Sequence, residues 1–93
     1  PTPPPETLYH GTAAVTLPAI RRDGLLKMRR HHVHLSADPE TAERVGRRHG
    51  RPVVLTVAAG RMAADGWAFL VSDNGVWLVD AVPPQYLHAP DGP

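Results

Sequence analysis

The sequence contains no cysteine. Disulfides and thiolate metal centres are therefore excluded. It has no apolar run approaching the length of a membrane span, and the expectation is that no signal peptide opens it. The expected setting is cytoplasmic, with no membrane partner. There is no Gly-rich phosphate loop of either common type. No Ser-His-Asp set is legible, and no segment repeats. At 93 residues the chain is one small domain, burying roughly 60–65% of its surface by size scaling.

What is present is unevenly placed charge. Ten Lys and Arg face nine Asp and Glu, for a net charge of +1. Yet Arg21, Arg22, Lys27, Arg29, Arg30, Arg44, Arg47, Arg48 and Arg51 crowd into one third of the sequence, with His31, His32, His34 and His49 among them. Such a block suits an anionic ligand: a phosphate, a dinucleotide or a nucleic acid. Each arginine taken singly reads equally well as a solvated helix surface.

The stretch His31-His32-Val33-His34-Leu35-Ser36 organises the chain. In a strand, His32 and His34 share one face, and Val33 and Leu35 take the other. With His10-Gly11-Thr12 upstream, this pattern points to a polar cleft. A solvated face of an antiparallel sheet gives the same pattern. A zinc site built from histidines has little support, because no acid stands at a partner spacing.

Pro1–Pro5 should be extended and poorly ordered. Leu8–His10 reads as a strand broken by Gly11-Thr12. Thr12 is placed to cap a helix over roughly residues 13–22, which Pro18 delays or shortens and Asp23-Gly24 stops. Asp38 and Pro39 are the N-cap and first position of a helix expected to run from Pro39 to His49 and end at Gly50. Pro52–Val57 is a β-branched, near-continuously apolar run, expected as a central strand. Ala58–Asp65 reads as a short helical segment ended by Gly66. Trp67–Ser72 reads as a strand. Asn74-Gly75 is a hairpin turn, and Val76–Val79 pairs back. Pro83-Pro84 turns the chain into an edge contact at Tyr86-Leu87. The division expected is a Pro-rich linker over 1–7, a lobe over 8–87 and a fraying tail over 88–93. The total is a small α+β domain. Arg48, at the end of a helix that follows the histidine strand, carries a planar fork suited to phosphate.

Ordered blocks then match a known family. They are Leu8-Tyr9-His10-Gly11-Thr12, Ile20 through Gly24-Leu25, and Met28 through Ser36. Next come Val45 through Leu55 with its Gly46-Arg47-Arg48-His49-Gly50. Met62, Asp65-Gly66, Phe69, Ser72, Asn74 through Leu78 and Val82 through Leu87 complete the set. The chain resembles the C-terminal, NAD-binding lobe of the NAD-dependent RNA 2′-phosphotransferases, a branch of the ADP-ribosyltransferase superfamily. The resemblance implies an α+β ADP-ribosyltransferase-like lobe of short, mostly antiparallel strands with two or three short helices. It also implies a monomer that consumes NAD as co-substrate and uses no metal. An internal RNA 2′-phosphate is moved to NAD, giving 2′-OH RNA, ADP-ribose 1″,2″-cyclic phosphate and nicotinamide.

By the same resemblance, His10 and His34 are the two histidines of the superfamily's NAD-binding triad, with Val76 in the third place. An apolar residue there suits a nucleophile that is already an anion. Gly11 and Thr12 approach the NAD. Arg48 matches an arginine near the reacting phosphates and is the expected catalytic residue. Ser36, Asp65, Gly66, Phe69 and Ser72 are weaker carry-overs to the dinucleotide pocket. Family members carry an N-terminal winged-helix-like lobe that supplies an Arg-His pair and a further Arg to grip the RNA 2′-phosphate. The sequence before Leu8 is Pro-rich and has none of these. The expectation is that NAD binding survives in this chain while full phosphate transfer by it alone is weak or absent. Two rival readings remain at this point. One is a single-lobe ADP-ribosyltransferase acting on nucleic-acid phosphate ends, which would leave a trapped ADP-ribosylated product. The other is a non-catalytic NAD- or ADP-ribose-binding module, which would bind without releasing nicotinamide.

Overall fold

Strand β4 (Pro52–Val57) is the centre of the principal sheet, as its run of Val53, Val54, Thr56 and Val57 leads one to expect. The computed structural model describes residues 1–90. β4 pairs antiparallel with β1 (Leu8–Ala13) along its whole length, from Leu8 opposite Val57 to Ala13 opposite Pro52. On its other edge lies β8 (Leu87–His88). Between β1 and β4 the chain forms a 3-10 turn (Ala14–Thr16), helix α1 (Leu17–Asp23), β2 (Leu25–Leu26), β3 (Val33–Leu35) and helix α2 (Pro39–Arg47). After β4 come helix α3 (Ala59–Ala64), β5 (Leu70–Val71), β6 (Trp77–Val79), β7 (Ala81–Val82) and a 3-10 turn at Pro84–Tyr86. β3, β6 and β5 make a second antiparallel sheet, and β2 pairs with β7. This is the α+β fold of short antiparallel strands and three helices that the sequence leads one to expect.

Both main sheets close on one hydrophobic core. Leu8, Leu35, Leu55, Val57, Met62, Phe69, Val79 and Val82 are its largest fully buried side chains. In β3 the alternation holds: Val33 and Leu35 are buried and His34 between them is exposed. The strand covers only residues 33–35, however, and His31 and His32 lie in the bend before it. Ser36 continues β3 by a bridge to Tyr9, with reciprocal N–H to carbonyl bonds of 2.9 and 2.8 Å. That bridge joins the second sheet to β1.

Several local expectations are corrected. Gly11-Thr12 does not break β1, because its pairing with β4 runs through to Ala13. Thr12 caps no helix. α1 starts at Leu17, with Pro18 in its first turn, where a missing N–H costs nothing. α2 begins as expected: the Asp38 carboxylate accepts from the Thr41 N–H at 2.8 Å and from the Thr41 hydroxyl at 3.0 Å. It ends two residues early, at Arg47. Arg48 and His49 turn tighter, with their N–H groups donating to the carbonyls of Val45 and Gly46 at 3.2 and 3.0 Å. The Trp67–Ser72 strand shrinks to β5. The hairpin turns over Ser72–Gly75, with the Gly75 N–H donating to the Ser72 carbonyl at 2.9 Å and Gly75 at φ +84°. This is a turn followed by a left-handed glycine, the three-residue hairpin loop.

The ends of the chain are tied in more than expected. The Thr2 N–H donates to the Phe69 carbonyl at 2.8 Å, and the Glu6 carbonyl accepts from the Gly60 N–H at 3.0 Å. His88, expected in the fraying tail, pairs with Thr56. Residues 91–93 of that tail lie outside the described residues.

Candidate functional site

The site is built on a backbone-to-backbone contact. α2 lies directly on β1, and glycines make this possible from both sides. A Cβ on Gly11 would stand 1.6 Å from the Ala42 carbonyl oxygen, and one on Gly46 would stand 2.7 Å from the Thr12 carbonyl oxygen. Neither position tolerates a side chain. Gly11, expected to serve a ligand, thus has a packing reason to be glycine. The contact fixes His10 and Thr12 on either side of Gly11, and places Val45 and His49 of the α2 end beside them.

The Tyr9–Ser36 bridge brings the histidine strand alongside. His10 Nδ1 lies 3.2 Å from the His34 carbonyl oxygen. A carbonyl only accepts, so Nδ1–H donates, and a neutral His10 then carries its free lone pair on Nε2. Arg30 Nη1 lies 3.1 Å from His34 Nδ1. A guanidinium only donates, so His34 Nδ1 accepts, and a neutral His34 carries its proton on Nε2. The pair therefore offers one acceptor and one donor. Burial lowers the pKa of His10, helped by the positive charge of Arg30 and the nearby His34 and His49, and partly opposed by the bond to the His34 carbonyl. His34 is also lowered, by desolvation and then by Arg30 and His32. Both shifts favour neutral rings at pH 7.

His10, His34 and Arg30 face a cleft of about 480 Å³, together with Gly11, Thr12, His32, Val45 and His49. Its outer lip is the segment Leu25–Arg30. The volume falls in the range of small-molecule and cofactor sites. Positive charge on the lip comes from Lys27, Arg29 and Arg30. The ion pairs among the described residues are Arg22–Asp23, Lys27–Asp80 and Arg47–Glu43. Of these, Lys27–Asp80 is long, at 3.9 Å, and exposed on both sides. Neither Arg29 nor Arg30 is in an ion pair among the described residues, and Arg30 has one donor on His34 Nδ1. A second, apolar compartment of about 320 Å³ adjoins, sharing His10, Thr12, Leu25, Leu26 and Met28 with the first. On its wall the Thr12 and Thr16 hydroxyls are 2.6 Å apart.

The residues proposed from the sequence therefore divide. His10, Gly11, Thr12 and His34 meet in the cleft. Ser36 is not in the cleft lining, and its backbone is engaged by Tyr9. Arg48 is exposed at the end of α2, and its neighbour His49, rather than Arg48, lines the cleft. Asp65 accepts the Tyr86 hydroxyl at 2.6 Å. Gly66 is exposed after α3, and Phe69 is core, 1% exposed. Ser72 and Val76 close the hairpin, with the Ser72 hydroxyl oxygen accepting the Val76 N–H at 3.1 Å. None of these last five lines the cleft. Arg30 and His49, which the sequence offers only as members of the basic block, also line the cleft. Arg30 stands four residues before His34, a signal that is readable once the bend at residues 30–32 is known.

Comparison with known proteins identifies relatives of the chain. The family model for the RNA 2′-phosphotransferase, Tpt1/KptA family matches residues 1–81. A "Probable RNA 2'-phosphotransferase" of Streptomyces griseus is 63% identical over 87 residues, covering 94% of this chain and 46% of that protein. The protein of the same name from Trichormus variabilis is 61% identical over 85 residues, covering 91% of this chain and 47% of its own length. That of Streptomyces coelicolor is 62% identical over 89 residues, covering 96% and 48%. The chain spans about half the length of the curated relatives it matches.

Proposed function

Since the chain belongs to the RNA 2′-phosphotransferase, Tpt1/KptA family, we propose that it is the NAD-binding lobe of an enzyme that moves an internal RNA 2′-phosphate to NAD. The observation that carries this reading is the joined set of His10, His34 and Arg30 in one cleft with a cationic lip. A dinucleotide needs three things there: donors for its phosphates, an acceptor for a ribose hydroxyl and an apolar wall for a ring.

Each residue has a part. Arg30 gives one donor to His34 Nδ1 and keeps the rest of its fork for phosphate oxygens. His34 Nε2–H donates toward the ligand, and His10 Nε2 accepts a ribose hydroxyl. Arg29 and Lys27 add positive charge at the lip. In the first step, a 2′-phosphate oxygen bonds to the anomeric carbon of the nicotinamide ribose. The carbon–nitrogen bond breaks, and its electron pair leaves with nicotinamide. In the second, the neighbouring ribose hydroxyl bonds to phosphorus, and the phosphorus bond to the RNA 2′-oxygen breaks. The proton passes to that oxygen, giving 2′-OH RNA and ADP-ribose 1″,2″-cyclic phosphate. Fixed donors aimed at the phosphates, together with proximity, supply the catalysis. The first step requires no general base, because the attacking phosphate is already an anion; in the second, the hydroxyl proton lost on attack is the one the departing 2′-oxygen gains.

On this reading Arg30 takes the phosphate role expected of Arg48, supported by its place in the cleft and its bond to His34 Nδ1. Calorimetric binding of NAD and ADP-ribose tests this. Losing a charge-assisted contact through Arg30→Ala should weaken binding about tenfold or more, and Arg48→Ala should change it less than about threefold. The reverse order would restore Arg48 to the phosphate role. Incubating the chain with NAD and 2′-phosphorylated RNA tests the second expectation, that this half alone transfers phosphate slowly. Rapid turnover would overturn it.

A further inference from the structure

Met28 occupies a position that sequence economy does not favour. It lies in the turn Lys27–Arg30, closed by the Arg30 N–H donating to the Lys27 carbonyl at 2.9 Å. Its φ is +54°, and it is the one non-glycine residue with positive φ among the described residues. Turns with positive φ at the first central position take glycine, asparagine or aspartate, because an L side chain is strained there. Its side chain is nonetheless large, apolar and 83% exposed. It adds nothing to the core. Glycine would relieve the strain and remove the exposed apolar surface, so the side chain has its use in a complex.

Its neighbours indicate what that complex holds. Met28 lines both compartments of the cleft. His10, Leu25 and Leu26 line both as well; the first adds Arg29, Arg30, His32 and His34, and the second adds Ala19 and Ile20, with Thr16 and Asp23 at its edge. In a dinucleotide, one ribose separates phosphate from ring, so a ring site has to adjoin the cationic site. A thioether adapts to a planar ring face and gains sulfur–aromatic contact.

We propose that Met28 clasps a planar heteroaromatic ring of the dinucleotide, seating it in the apolar compartment while its phosphates meet Arg29 and Arg30. The assignment rests on the dinucleotide reading of the cleft and makes Met28 a determinant of affinity for ringed ligands.

Titration calorimetry of the wild-type chain, Met28→Gly and Met28→Leu with NAD, ADP-ribose, nicotinamide mononucleotide and inorganic pyrophosphate tests it. Glycine keeps the turn, so folding is preserved. Met28→Gly should weaken NAD about fivefold to tenfold, while Met28→Leu stays within about twofold and pyrophosphate binding is unchanged. Whichever of ADP-ribose and the mononucleotide weakens with NAD identifies the ring as adenine or pyridine. Unchanged NAD binding by Met28→Gly, or an equal loss for pyrophosphate, overturns the role of Met28 and leaves the dinucleotide reading standing. Failure of the wild-type chain to bind NAD overturns that reading, and this assignment with it.

Discussion

The two sides of the cleft are made in opposite ways. The wall is β1 and α2, pressed together until only glycine fits at residues 11 and 46. The outer part of the lip, Lys27–Arg30, is a turn closed by one backbone bond, with each of these four residues exposed. The wall has paired backbone and a capped helix. The lip has guanidinium groups outside any ion pair and a strained, solvent-facing methionine. Rigid packing thus sets the positions of His10 and Thr12, and the exposed turn supplies charge and apolar surface to the ligand. Arg30 joins the two, because its bond to His34 Nδ1 reaches from lip to strand.

This contrast has measurable consequences. The largest belongs to the wall. Gly11→Ala drives a methyl group into the Ala42 carbonyl and should cost ~3 kcal/mol or more by urea unfolding. A cost below about 1 kcal/mol would mean that α2 can lift off β1. Asp38→Ala removes the cap of α2 and should cost about 1 kcal/mol by the same measurement. The histidines give a pH dependence. His10 has a lower pKa folded than unfolded. As pH falls below the ordinary imidazole value of about 6.5, the unfolded chain takes up a proton that the folded chain resists, and stability declines. Above that value both states are neutral and the slope vanishes. His10→Gln should flatten the decline in a series of melts from pH 7.5 downward. An unchanged slope would assign it to other groups. The smallest effect on stability belongs to the lip. Arg29→Ala should shift unfolding by less than about 0.5 kcal/mol, while lowering NAD affinity and its salt dependence. A stability loss as large as that of Asp38→Ala would erase the distinction between wall and lip.

Much of the wall is visible in the sequence. Asp38-Pro39 is a local signal whose chemistry closes within three residues, and β4 declares itself by β-branched content. The alternation of Val33, His34 and Leu35 reports the buried and exposed faces directly. The glycine contact is not legible, because it depends on residues 11 and 42, brought together only by the fold. Gly11 instead reads as a strand breaker. The lip is legible as charge but not as geometry. Nothing local distinguishes Arg30 from Arg48 until the bend at residues 30–32 turns one of them onto His34. The resemblance carried Asp65, Gly66, Phe69, Ser72 and Val76 toward the pocket. In the fold they form the end of α3, a core residue and a hairpin closure, away from the cleft lining.

The most direct measurement is a heteronuclear NMR titration of the chain with NAD. The account predicts shifts gathered at His10–Thr12, Lys27–His34 and Val45–His49, and their loss in Arg30→Ala. Shifts confined to Asp65–Val76, or none at millimolar NAD, would contradict the assignment of this cleft as the dinucleotide site.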